Sequence, residues 1–138
     1  GARLITATPP SAAPLAPEDY EAKRLSLGVP DSSRDMAIEK HFWLETDAER
    51  LNGVSFTKGC FIGQELTARM KHRTALKKKL VALTAADSAL EGGQTITTEG
   101  GKSAGEIRTT DGTHAIAYLR LEFASDSLNV EGVPVRLI

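Results

Sequence analysis

From Lys79 to the last residue the chain is a succession of short β-branched runs cut by glycine. "LVALTA", "QTITTEG", "AGEIRTT", "THAIAYLRLEF" and "VPVRLI" follow one another, with Gly-Gly, Asp-Gly and Gly-Val-Pro among the punctuation. Asp111-Gly112, between Thr110 and Thr113, is a hairpin signal because that pair accepts the positive φ of a tight primed turn. Five short strands in about sixty residues point to a small antiparallel barrel, which closes on itself and leaves no exposed ladder.

The residues ahead of this region read differently. "APEDYEAKRLSLGVP" carries helix punctuation: Pro17 suits the first turn, Glu18 and Asp19 suit the positive end of the dipole, and Gly28 with Pro30 marks the stop. Tyr20, Leu25, Leu27 and the stem of Lys23 are expected on its inner side. "DSSRDMAIEK" reads as irregular loop, Phe42-Trp43-Leu44 as extended, Asp47 to Leu51 as a helical turn, and Asn52-Gly53 as a turn. From Ile62, "IGQELTARMKHR" is built of good helix formers, with Ile62, Leu66 and Met70 on one stripe. The fold expected is therefore α+β. A partial α/β domain over residues 1–76 precedes a small antiparallel β-barrel over 77–138, with the boundary near Thr74 to Lys78. The chain opens on a strand-like fragment, Arg3 to Thr8, followed by the Pro/Ala-rich "TPPSAAPLAP", and this is expected to be a start inside a larger protein.

Composition removes several function classes. Aromatics make up only 5% of the 138 residues, so the core must be aliphatic. A net charge of −1 gives no global pull toward nucleic acid or an anionic membrane. No apolar run approaches the ~20 residues of a membrane span, and no secretory signal is visible. A single cysteine excludes an intramolecular disulfide framework and fits a reducing compartment, with the cytoplasm as default and an organelle reading the same.

That one thiol, Cys60, sits in "KGCFIGQE". By residue type alone, a lone cysteine is more often a small buried hydrophobe than a nucleophile. Its neighbours argue the other way. A thiol just ahead of a helix meets unpaired backbone N–H groups and the positive dipole end, which favour thiolate. Lys58 adds positive charge, and Gly59 and Gly63 permit positive φ that a merely packed cysteine would not need. Other constellations are missing: His41, His72 and His114 show no useful spacing to the thiol, and one cysteine cannot by itself hold a structural zinc or an iron–sulfur cluster. The basic run "KHRTALKKK", with Lys71, Arg73, Lys77, Lys78 and Lys79, reads either as cations at a helix C-terminus followed by a solvated linker, or as a local anion site. The lack of interleaved aromatics weighs against a nucleic-acid surface.

"LNGVSFTKGCFIGQELTARMKHR" closely resembles the signature of the YgfZ family of folate-binding proteins linked to iron–sulfur cluster assembly and repair. The family core looks like K-G-C-[FY]-x-G-Q-E, matched here by Lys58, Gly59, Cys60, Phe61, Gly63, Gln64 and Glu65, and the match continues at Thr67, Arg69, His72 and Arg73. "RLSLGVPD" upstream and "AGEIRTT" and "AIAYLR" downstream resemble further family segments, so the likeness covers about residues 3 to 138. The resemblance implies the C-terminal part of an aminomethyltransferase-like fold. It implies a tetrahydrofolate-dependent assembly or repair factor in which Cys60 is the functional thiol, Lys58 lowers its pKa, and Gly59, Phe61, Gly63, Gln64 and Glu65 shape the loop and helix start. Arg69, Lys71, His72 and Arg73 become the expected anion or folate contacts.

The related glycine-cleavage aminomethyltransferase typically lacks the cysteine and carries an acidic residue where this chain has Ser26, so Cys60, Gln64 and Ser26 favour the assembly branch. The alternatives stay open: a folate-dependent aminomethyltransferase, or a non-catalytic interaction module in which Cys60 only packs. Whether the protein is an enzyme is open too. Implied partners are iron–sulfur client proteins or assembly machinery and folate, with no membrane, nucleic acid disfavoured, and no metal held by this chain alone. Tetrahydrofolate is expected in the full-length protein and not tightly on this portion. The compartment implied is the bacterial cytoplasm, or the mitochondrial matrix in a eukaryote.

Overall fold

The structure is a computed structural model that describes residues 5–8, 11, 14–73, 75–86 and 90–138. Six antiparallel strands, β1 (Lys78–Ala85), β2 (Thr95–Thr98), β3 (Ser103–Thr110), β4 (His114–Arg120), β5 (Leu128–Val130) and β6 (Val133–Leu137), close a barrel in the order β1-β4-β3-β2-β5-β6. The sequence suggested five strands. The sixth, β5, has only three residues, too few for the period-2 alternation that marks a strand. The Asp-Gly hairpin forms between β3 and β4, where Asp111 N–H donates to the His114 carbonyl at 3.1 Å and Gly112 takes φ 96°.

Alternation along each strand decides the two faces. On β4, Ala115, Ala117 and Leu119 point inward to a core shared with Leu83, Ile96 and Ile107. Alanines at two of these positions fit the narrow interior of a six-stranded barrel. The other face of the same wall is also covered: Leu80 and Ile116 are fully buried beneath Leu25, with Met36, Ala82 and Tyr118 against them.

That cover comes from the N-terminal segment. Helix α1 (Pro17–Ser26) begins on its proline, carries Glu18 and Asp19 in the first turn, and buries only Arg24 and Leu25. Tyr20 and Leu27, expected on the inner side, are 62% and 54% exposed. The helix touches the barrel through one position per few turns, so an amphipathic stripe is not required of it. Gly28 ends it at φ 62°, and a Cβ there would lie 2.7 Å from the Ala82 Cβ, so only glycine lets the chain pass this close to β1.

Arg24 fastens this segment. Its guanidinium donates to the Val29 carbonyl at 2.8 Å, to Asp35 Oδ2 at 2.7 Å, to Glu21 Oε2 at 2.8 Å and to Thr109 Oγ1 on β3 at 3.1 Å. Thr109 donates in turn to Asp35 Oδ1 at 2.5 Å, and the Asp31 N–H reaches Asp35 Oδ2 at 2.7 Å. Arg24 and Asp35 side chains are 2% and 0% exposed, so the pair is tolerable only because each guanidinium nitrogen and each carboxylate oxygen has a partner.

Beyond it, residues 31–40 are turns as expected, while Trp43–Thr46 forms a short 3₁₀ helix instead of an extended piece. Glu45 explains the difference: its Oε2 accepts from the Phe42 N–H at 3.1 Å and from the Tyr118 hydroxyl at 3.0 Å, which caps the turn and ties it to β4. Burial, together with the Glu45 carboxylate it donates to, pushes the Tyr118 phenol up to about 12. Of the strand-like fragment Arg3 to Thr8, residues 5–8 are exposed and not in a strand, and the others lie outside the described residues, as do Pro9, Pro10, Ala12 and Ala13.

Two stability measurements check this arrangement. Asp35→Ala strands a buried guanidinium and is expected to cost about 3–5 kcal/mol in chemical denaturation. Glu21→Ala, which removes a partly exposed partner, is expected to cost about 1 kcal/mol or less. Equal costs would contradict the network. The second concerns His41, whose ring stands edge-on to Tyr118 at 4.6 Å with both nitrogens buried and without partners. Burial and then the nearby Arg108 hold its pKa below the ordinary value. The unfolded chain therefore binds a proton that the folded chain refuses, and stability falls as pH drops through about 6.5, levelling off below the folded value. His41→Phe is expected to flatten the stability profile between pH 7 and 5; an unchanged slope would contradict the assignment.

Candidate functional site

The loop that carries the thiol stands outside both cores. Gly59 and Gly63 take φ 88° and 87°, in the left-handed region where a side chain is strained, and no atom within 4 Å would meet a Cβ at either position. Conformation, not crowding, is what requires glycine there. Between them Cys60 is exposed, Phe61 is 75% exposed and Ile62 is 96% exposed. Helix α2 (Glu65–Arg73) follows with no buried residue.

This helix begins later than the sequence suggested. Ile62 and Gly63 form a turn, and the first helical bond runs from the Ala68 N–H to the Gln64 carbonyl at 2.9 Å. Cys60 is thus separated from the helix start by that turn. The stripe of Ile62, Leu66 and Met70 also fails to reach a core, because Ile62 lies before the helix and Leu66 is 55% exposed. Glu65 does not cap backbone N–H groups; its carboxylate pairs with Arg69 one turn on.

Cys60 lines two adjoining open grooves. One, about 600 Å³, runs along α2 past Gln64, Ala68, Arg69, His72 and Arg73. The other, about 490 Å³, is more apolar and includes Trp43, Phe56, Lys58, Phe61 and Ile62, with His72 shared. The structure therefore gathers Lys58, Cys60, Gln64, Arg69, His72 and Arg73 around one surface feature. Within it, Lys58 places its ammonium 5.4 Å over the Phe61 ring, and His72 stands edge-on to Phe56 at 6.3 Å.

Lys71 is not part of it. Its ammonium bonds both Glu49 oxygens at 2.7 Å and lies 5.1 Å over the Phe56 ring, lining a separate recess with Asp47 and Lys79. The rest of the basic run is dispersed in the same way, since Lys79 pairs with Asp47 at 2.5 Å and Lys78 and Lys79 already belong to β1. The helix-terminus reading holds for Lys71 and Arg73 in the last turn of α2 and the exposed linker for Lys77, while Lys78 and Lys79 are strand residues and no single anion site gathers the run. Ser26 is half-buried at the C-terminal end of α1, where its hydroxyl donates to the Lys23 carbonyl at 2.9 Å, and it lines neither groove. Trp43, Val54 and Phe56 were not singled out as site residues from the sequence; the only signal was that a chain with few aromatics places Phe42, Trp43 and Phe56 within twenty residues ahead of the thiol.

Fold and site together define a small closed barrel bearing an exposed thiol loop on its N-terminal flank. Residues 77–138 match the family described as CAF17, C-terminal beta-barrel domain. Over most of its length the chain is similar to the human "Iron-sulfur cluster assembly factor IBA57, mitochondrial", with 37% identity over 126 residues, covering 86% of this chain and 35% of the relative. The mouse protein of the same name is 33% identical over 126 residues, 88% of this chain and 35% of the relative. A Neurospora crassa homologue is 33% identical over 87 residues, 59% of this chain and 20% of the relative. The chain spans about a third of the length of the human and mouse relatives.

The exposure of Cys60 gives a direct check. In the folded chain without denaturant, an aromatic disulfide reagent is expected to titrate one thiol per chain at a rate within about threefold of the unfolded chain. Labelling only after denaturation would contradict the loop geometry and restore the packed-thiol reading.

Proposed function

We propose that this chain is the C-terminal portion of a YgfZ-like, tetrahydrofolate-dependent factor that assembles or repairs iron–sulfur clusters in client enzymes, with Cys60 as its working thiol. The observation that carries the proposal is the coincidence of two facts. The relatives are named iron–sulfur cluster assembly factors, and the only cysteine is held on an exposed glycine-flanked loop where a second molecule can reach it.

Among the described residues no group of three or more His, Cys, Asp or Glu is close enough to hold a metal ion. In this reading a cluster is cargo, and Cys60 serves as one transient thiolate ligand while the client or the assembly machinery supplies the others. The cations nearest the thiol in this reading are Lys58, on the same loop, and Arg69 and Arg73, which line one of its two grooves. For folate, the residues present suit its anionic tail: Arg69 and Arg73 offer planar donor forks that match carboxylates, with His72 beside them. Both grooves open to solvent, so contacts to the rest of a folate fall to the longer protein. Exposure of Cys60 speaks against the interaction-module alternative, and no feature of the grooves favours aminomethyl transfer. The compartment proposed is the mitochondrial matrix in a eukaryote, following the names of the relatives, and the cytoplasm in a bacterium.

The test is genetic. In cells lacking the full-length protein, wild type and Cys60→Ala are compared at matched protein level for restored activity of an iron–sulfur enzyme. Loss of rescue by the alanine variant is expected. Complete rescue would make the loop architecture and move the function to the folate-facing surfaces.

A further inference from the structure

The outer wall of the barrel carries a second charged feature, sharing no residue with the Cys60 grooves. Lys78 on β1 and Arg120 on β4 stand directly opposite one another in register. Like charges so placed destabilise a ladder, and neither residue has a carboxylate partner among the described residues. Both are exposed.

A third cation stands on the same outer side, beside a bulge. The β3–β4 register shifts between Ile107 and Thr109, so Arg108 is the extra residue on β3. An extra residue breaks the inward–outward alternation. Thr109 faces the N-terminal segment, and Arg108 faces the same outer side, 5.8 Å from the Tyr118 ring centre. Lys78 lies 5.6 Å from the centre of that ring. Arg108 spends one nitrogen on Glu106 at 3.0 Å, while its Nε is buried with no partner. Together Lys78, Arg108 and Arg120 surround a recess of about 300 Å³ whose lining includes the hydroxyl residues Thr95 and Ser103. Three cations thus face one carboxylate.

We propose that this recess is a binding site for a doubly charged oxyanion of the phosphate class, gripped by Lys78, Arg108 and Arg120. A single carboxylate brings one charge and two oxygens, which leaves two of the three cations uncompensated. A phosphate or diphosphate group brings enough charge and enough acceptors for all three, with Thr95 and Ser103 as further donors. The cross-strand repulsion between Lys78 and Arg120 is then relieved when the anion sits between them.

The site is tested on the 138-residue chain at low salt, with pyrophosphate as the probe and a tetraglutamate peptide as the comparison. Wild type is expected to bind pyrophosphate saturably, and the double variant Lys78→Gln with Arg120→Gln to bind about tenfold or more weakly. Thermal unfolding supplies a second readout that does not depend on a folding failure. Without anion the double variant is expected to melt at or above the wild-type temperature, because the opposed charges are gone, and added pyrophosphate raises the melting temperature of wild type only. Equal affinity of wild type and variant, or no saturable binding, would overturn the site. Tighter binding of tetraglutamate than of pyrophosphate would overturn the phosphate class and assign the recess to an acidic protein segment.

Discussion

The arrangement depends on one buried ion pair. Arg24, near the end of α1, and Asp35, in the turns that follow, lie eleven residues apart, yet both are shut away from water against the barrel. Two charges in such a place are stabilising only when their remaining donors and acceptors are satisfied. Here Val29, Asp31 and Glu21 satisfy them from the segment itself, and Thr109 from the barrel. The network converts a loop into a fixed cover over Leu80 and Ile116, which would otherwise be an apolar patch on the outside of the sheet.

The bulge in β3 makes that network possible. With regular alternation, Arg108 and Thr109 would face opposite sides of the sheet. The extra residue at Arg108 lets Thr109 complete the Arg24–Asp35 contacts while Arg108 remains on the outer wall beside Tyr118. The irregularity thus serves the attachment of the N-terminal segment and leaves Arg108 on the wall of the neighbouring recess. Glu45 plays a smaller part of the same kind, holding the 3₁₀ turn at Trp43 to the Tyr118 hydroxyl. Through that turn the attachment extends toward the thiol groove, since Trp43 lines it.

Beyond this anchored region the chain changes character. Residues from Lys58 through α2 bury nothing and are held by exposed pairs such as Lys71 with Glu49, which in water are worth little each. A scaffold with two cores thus presents a weakly held loop with an exposed thiol, a division that suits the proposed encounter with a second protein. How much of this the sequence disclosed follows from range. The barrel was legible because strand periodicity and Asp-Gly punctuation are local, and only the three-residue β5 escaped. The glycine-flanked thiol loop was legible for the same reason. The outward stripe of α2, the 3₁₀ turn at Trp43 and the burial of Arg24 were not, because each is decided by partners far along the chain: Tyr118 for Glu45, Thr109 for Arg24, and the lack of any core opposite Leu66.

Amide hydrogen exchange in the native chain separates these two regimes most directly. The expected result is that amides of residues 24 to 35 share the slow exchange of β3 and β4, while those from Cys60 through α2 exchange orders of magnitude faster by local opening. Slow exchange in α2, or fast exchange at Asp31 and Asp35, would contradict a pinned cover and a freely presented thiol.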